Sequence, residues 1–269
     1  MATIENQLFD IRTMDTLASG KSNLHRLDPR AKLITTLIYV VMVVSLGKYE
    51  ISMMVPFVLY PVTMLVGADL PVFYLLKKIL LVSPFAILIG IFNPLMDTTP
   101  LVQIGSLSLS GGWISFFSIL IRFALTVGAA LILICLTGFN TVCMALEKLK
   151  VPTPFVVQLL FLYRYLFVLI EEASRMIRAR SLRTFDTSGL RFKVFVPLLG
   201  QLLLRTLDRA HRIHLAMLCR GFDGHIRVSR PMHFGHKDLL FILSWSFFFI
   251  LARSYNLPVI VGSIIEGFF

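Results

Sequence analysis

The segment VPTPFVVQLLFLYRYLFVLIEEASRMIRARSLR, residues 151–183, decides how the rest of the chain is read. Its first half is almost wholly apolar and its second half is rich in arginine. Pro152 and Pro154 open a helix, because the first turn leaves its N–H groups unused and so tolerates proline. No breaker follows until Asp-Thr-Ser-Gly at 186–189. One helix is therefore predicted over 154–185, about 48 Å long at 1.5 Å per residue. Being apolar first and charged last, it begins in or under a bilayer and projects into the cytoplasm.

A second segment, RFKVFVPLLGQLLLRTLDRAHRIHLAMLCRG at 191–221, repeats the pattern. It is apolar up to Leu204. Arg205, Arg209, Arg212, Ala216 and Arg220 then follow at spacings of three and four, which draw one stripe on a helix. Leu199, Leu203, Leu207, Ala210 and Met217 lie on the other side. Gly221 is the expected C-cap, and Pro197 marks either a kink or the helix's real start. Two amphipathic helices thus lie on the cytoplasmic face. Lipid-surface helices drawn to anionic headgroups are the competing reading. Against it, the tips end in short, similar motifs instead of diffuse basic runs. The charges are mostly arginine, whose planar fork suits carboxylates and carbonyls.

Composition places these helices in a membrane protein. The chain is 57% hydrophobic and 15% charged, with a mean hydropathy of +0.81, whereas soluble domains carry about 25% charge. Segments near the length of ~20 residues that a spanning helix needs occur at 31–47, 51–68, 79–93, 113–138 and 238–256. The expected fold is an all-α integral membrane protein with about five transmembrane helices plus the two long cytoplasmic helices. The organisation reads as 1–138 for the N-terminal segment and four spans, 139–237 for the cytoplasmic helix region, and 238–269 for a last span and tail.

Thirteen Lys or Arg against five Asp or Glu fall within 171–237, and none of the 26 basic residues falls in 94–112. The positive-inside bias puts the former in the cytoplasm and the latter outside. That bias also accounts for the net charge of +11, so nucleic acid is not an expected partner. The N-terminus lacks a basic stretch followed by an apolar core and reads as carrying no cleaved signal peptide. Cys135, Cys143 and Cys219 are scattered and form neither a disulfide framework nor a zinc spacing.

Several motifs resemble one family. Ala179-Arg180-Ser181 and Cys219-Arg220-Gly221, at the ends of the two long helices, resemble the Ala-Arg-Ser and Ala-Arg-Gly tips of the coupling helices in the transmembrane (T) component of energy-coupling factor transporters. LHRLDPRAKLI at 24–34 resembles that family's entry into its first span, and Arg-Tyr-Leu at 164–166 its arginine in the first long helix. AMLCRGFDG at 216–224 is most similar to the cobalt-transporter, or CbiQ, group. Cysteine for alanine at 219 departs from the pattern by one small residue for another.

The resemblance implies a multi-pass subunit of the bacterial plasma membrane that joins two ATPase subunits to a separate substrate-binding (S) component in the bilayer. The arginine tips would dock in the ATPases, whose closure would move the helices and reorient the S component. It implies cobalt uptake, linked to cobalamin biosynthesis, with nickel or a vitamin as alternatives. No cofactor, catalytic group or metal site is expected. The absence of a Gly-x-x-x-x-Gly-Lys-Ser/Thr loop agrees, since ATP must then be handled elsewhere.

Other residues are weighed beside these. Arg183 shares a helix face with Arg180, and the repeated Arg-x-Phe-Asp ending would pair it with Arg220 instead. Arg122 lies inside the fourth span, where a charge costs at least about 2.5 kcal/mol at the bilayer centre, and is either functional or snorkelling. Arg164, between Tyr163 and Tyr165, suits an interface. The pairs His211/His214 and His233/His236 suggest a metal, but the basic surroundings repel cations and surface histidines are the plainer reading. Glu171 and Glu172 are expected to pair with Arg175 along the helix. A membrane-embedded enzyme using Arg122 and the histidine pairs is the alternative function.

Overall fold

Proline sets the start of the first long helix, α1 (Pro29–Val44), where it occupies the first turn and Asp28 caps it by accepting the Arg30 N–H at 2.9 Å. The remaining long elements are α2 (Leu59–Gly67), α3 (Val72–Gly90), β1 (Pro100–Ile104), β2 (Leu107–Ser110), α4 (Gly111–Thr137), α5 (Phe139–Lys148), α6 (Thr153–Ser181), α7 (Phe192–Cys219) and α8 (His236–Ser254). The computed structural model describes residues 13–20, 22–96, 100–104, 107–183, 192–224 and 234–255. It divides into two units, 15–138 with 232–269, and 139–231 with 1–14.

The chain is an all-α membrane protein apart, among the described residues, from one antiparallel hairpin, β1–β2, in the segment expected outside the membrane. Val72–Pro94, α4 and α6 are each long and apolar enough to cross a bilayer unaided. α3 starts seven residues earlier than the predicted span at 79, so Lys77 and Lys78 belong to the helix and not to a preceding loop. The span predicted at 51–68 is one short apolar helix, Ile51–Gly67, with a tighter turn inside it. It runs as a helical turn (Ile51–Met54), a 3-10 turn (Val55–Val58) and then α2. Pro56, in the 3-10 turn, and Pro61, in the first turn of α2, each lack an N–H and so leave a gap in the hydrogen-bond ladder.

Those gaps are repaired by side chains. Pro61 leaves the Phe57 carbonyl without its helical donor, and the Tyr39 hydroxyl donates to it at 3.1 Å. Pro84, inside α3, does the same to the Leu80 carbonyl, and Ser83 donates its hydroxyl there at 2.9 Å. Such repairs are what allow proline in a helix that has no water around it. The Thr36 hydroxyl donates to the Lys32 carbonyl at 2.8 Å, so it accepts from the Tyr60 hydroxyl, also at 2.8 Å. Around these bonds sits an aromatic core of Tyr39, Phe57, Tyr60, Trp245 and Phe249, with ring centroids 4.7 Å apart for Tyr39–Tyr60 and 5.0 Å for Tyr60–Trp245. α3 meets α4 at Gly90, where a Cβ would come within 2.9 Å of the Phe116 ring.

The first and last helices of this unit are tied at both ends. The Asp28 backbone N–H donates to Asp238 Oδ1 at 2.7 Å, across 210 residues of sequence. Asp238 Oδ2 accepts the Gly235 N–H at 2.8 Å and so also caps its own helix. Lys32, only 3% exposed, lies in the field of both carboxylates and donates to the His25 carbonyl at 3.1 Å. The His25 ring in turn donates from Nε2 to the Leu17 carbonyl, which leaves Nδ1 to accept from Ser22 at 2.7 Å. That neutral tautomer agrees with burial holding His25 below its usual pKa. At the other ends, Arg253 donates to the Ser45 hydroxyl. α1 and α8 are therefore parallel.

Asp238→Ala should lose both backbone acceptances and leave Lys32 buried beside one fewer carboxylate. A loss of about 2–4 kcal/mol follows from the worth of charged hydrogen bonds and of an unpaired buried charge. Asp238→Asn, which keeps one acceptor, should lose less. Thermal unfolding in lipid nanodiscs reads both, and an alanine variant as stable as the wild type would contradict the tie.

Candidate functional site

The unit that carries the tripeptides is built from α5, α6 and α7. Phe139 opens α5 and stacks on Tyr163 of α6 with centroids 4.5 Å apart. α6 begins as the prolines predict, with Pro152 as N-cap and Pro154 in the first turn. It ends at the first tripeptide, where the Ser181 hydroxyl donates to the Arg178 carbonyl at 2.8 Å and the Arg183 N–H to the Arg180 carbonyl at 2.9 Å. Ala179 and Ser181 are exposed, and Arg180 is half-buried.

α7 runs straight through Pro197, so this proline does not mark the helix start. Its end is a different construction. Gly221 has φ +76°, the Phe222 N–H donates to the Met217 carbonyl and the Gly221 N–H to the Leu218 carbonyl, each at 3.0 Å. That pair of bonds is a Schellman cap, which needs a left-handed residue and so favours glycine. Arg220 is the last residue before it, exposed together with Cys219. The third position of each tripeptide thus closes a helix by its own means, a hydroxyl in one and a left-handed backbone in the other.

The two helices cross in opposite directions. One groove, of about 560 Å³, lies between residues 172–183, at the end of α6, and 197–205 of α7. Another, of about 440 Å³, lies between 161–169 of α6 and residues 206–222, the last part of α7 and its cap. As α6 advances, α7 therefore retreats. Glu172 bonds Arg205 at 2.6 Å where they meet. From there Arg180 is about 12 Å along α6 and Arg220 about 22 Å the other way along α7, so the tips stand roughly 25–35 Å apart.

The two grooves differ in chemistry. Arg175, Arg180, Arg183 and Arg205 line the first, with Glu172 and Gln201. Arg180 and Arg183, the two register candidates, thus face one space. The second is walled by Phe161, Tyr165, Met217 and Phe222, with Arg209 and His214 the charged or titratable side chains in it. Glu171 bonds Arg175 at 2.6 Å at the predicted spacing, whereas Glu172 reaches across to Arg205 instead. Arg164 is exposed on α6, and His211 and His214 are exposed on α7. His233, Arg191, Arg227 and Arg230 lie outside the described residues.

Arg122 belongs to the other unit. Its guanidinium donates to the carbonyls of Leu46 and Gly47 at 2.9 and 3.3 Å, satisfying peptide groups just past the end of α1. The buried Asp28, Lys32 and Asp238 were not foreseen as a group. The Asp-Pro-Arg-x-Lys motif was the available signal for the first two.

A family model described as CbiQ, cobalt transport protein, matches residues 20–233. The chain belongs to this family. It is a transmembrane (T) component of the energy-coupling factor type and a multi-pass plasma-membrane protein. The energy-coupling factor transporter transmembrane protein EcfT of Ruminiclostridium cellulolyticum is 27% identical over 250 residues, 85% of this chain and 91% of that protein. The protein of the same name in Bacillus subtilis is 29% identical over 233 residues, 78% and 86% of the two chains. That of Listeria innocua is 28% identical over 225 residues, 76% and 82%. The CbiQ match takes in both tripeptides and the Asp-Pro-Arg-Ala-Lys entry of α1.

The two caps of this CbiQ-family protein should respond differently to the same replacement. Gly221→Ala puts a Cβ on a left-handed backbone and should cost about 1–2 kcal/mol at the end of α7. Ser181→Ala removes one exposed side-chain bond and should stay within about 0.5 kcal/mol. Hydrogen exchange at Phe222 and Leu182 reports each end, and equal effects would contradict the two cap designs.

Proposed function

We propose that this chain couples two ATPase subunits to a substrate-binding membrane component, with Arg180 and Arg220 as the contacts to one ATPase each. It transmits movement and performs no catalysis itself. The observation that supports this reading is the opposed placement of the two tripeptides. Tips roughly 25–35 Å apart at the two ends of one crossed pair suit two separate partners better than one. Arg220 is exposed and Arg180 half-buried, and the small residue beside each lets a partner backbone approach, so that the guanidinium reaches a carboxylate or several carbonyls. Arg183 is a second donor in the Arg180 groove. Arg164 and Arg122 are assigned no docking role.

The cargo we propose is cobalt. Support comes from the CbiQ description of the family and from the Arg-Gly-Phe-Asp-Gly ending of α7.

Charge-assisted bonds contribute about 1.5–3 kcal/mol each, so losing one arginine should weaken ATPase binding roughly 10- to 150-fold. The double variant Arg180→Ala/Arg220→Ala should lose ATP-driven uptake while remaining folded in the membrane. Arg→Lys should rescue in part, because lysine keeps the charge without the fork. Co-purification of the ATPases and uptake of radioactive cobalt and nickel by the whole complex read these outcomes. Normal uptake by the double variant would refute the docking role, and loss only with Arg183→Ala would move it by one turn. Vitamin uptake without metal uptake would refute the cargo.

A further inference from the structure

We propose that Glu172 and Arg205 form the pivot that holds the two coupling helices at one crossing angle, so that the tips move together. This rests on the coupling reading above. Four observations carry it.

The pair is closed at 2.6 Å, with Glu172 the more buried partner at 23% side-chain exposure against 60% for Arg205. Both residues line the arginine-rich groove on one side, and both line a further groove of about 730 Å³ on the other. They therefore stand on the saddle between two open spaces, where the helices cross. Elsewhere the packing is thin. No side chain from Phe195 to Cys219 is buried, and only Leu198, Leu202, Thr206, Ile213 and Met217 are half-buried. Finally, the neighbouring Glu171 is committed to Arg175 on its own helix, which leaves Glu172 for the crossing.

Leverage makes the angle matter. A rotation of about 10° at the pivot moves Arg220, about 22 Å away, by roughly 4 Å. That distance exceeds what a docked guanidinium tolerates before its hydrogen bonds break. A partly exposed ion pair adds little to stability, so removing it should leave the fold intact and loosen only the angle. Arginine suits the task because its planar fork fixes direction as well as charge.

The test uses the full chain in lipid nanodiscs. Spin labels are placed at Leu182→Cys and Leu218→Cys in a Cys219→Ala background. Cys135 and Cys143 are buried and stay unlabelled. Electron–electron resonance should give one narrow distance peak. Glu172→Gln and Arg205→Gln should each lose that peak to a broad distribution. The swap Glu172→Arg/Arg205→Glu should restore it, which a merely structural loss would not allow. Unchanged peaks in the single variants, or a swap that stays broad, would overturn the pivot. Co-purification of ATPases with the wild type tests the coupling reading separately, since the distance measurement needs no partner.

Discussion

A single carboxylate, Asp238, accepts two peptide N–H groups, one from its own helix start and one from Asp28 at the other end of the sequence. Much else in the membrane unit depends on this. With the N-terminal ends of α1 and α8 joined there and Arg253 on Ser45 at the far ends, the helices are fixed as parallel neighbours. Tyr39 of α1 and Phe249 of α8 then meet at 5.4 Å, and Phe57 and Tyr60 close around them. The tie is expensive to leave half-made, because Lys32 is buried beside it and an unpaired buried charge costs several kcal/mol. Solved as a group, those charges define which end of α8 sits beside which end of α1.

The unit of α5–α7 is built on the opposite principle. Its long helices touch over a narrow stripe and leave Leu199, Leu203, Leu204 and Leu207 about half exposed or more. Such a surface is unfinished by the standards of a packed core, where side chains touch many neighbours. With so little packing between the two helices, their crossing angle rests on the Glu172–Arg205 pair. The membrane unit is thus held by buried charges and an aromatic core, and the helix pair by one ion pair over a thin contact.

What the sequence disclosed was whatever follows from local rules. Prolines at 152 and 154 placed the start of α6, the three-and-four spacing gave the basic stripe of α7, and Gly221 marked its cap. The Glu171–Arg175 pair was legible for the same reason. Features that depend on distant residues were not legible. Nothing near Glu172 says that it prefers Arg205, and the antiparallel crossing follows from tertiary packing alone. The gaps in the ladder of the 51–67 segment carry no hydropathy signal, because hydropathy takes no account of the missing N–H groups at Pro56 and Pro61. The role of Arg122 is not legible in the sequence because its partners, the carbonyls of Leu46 and Gly47, carry no side-chain signature.

The central claim is that the two ends of the crossed pair engage two different ATPase polypeptides at once. Photo-cross-linking in the assembled complex tests it most directly, with benzoylphenylalanine in place of Ala179, of Cys219, or of both. Each single replacement should capture one ATPase polypeptide, and the double replacement should yield a species carrying two. A double replacement that never exceeds one captured ATPase, with both ends mapping to the same polypeptide, would contradict the account.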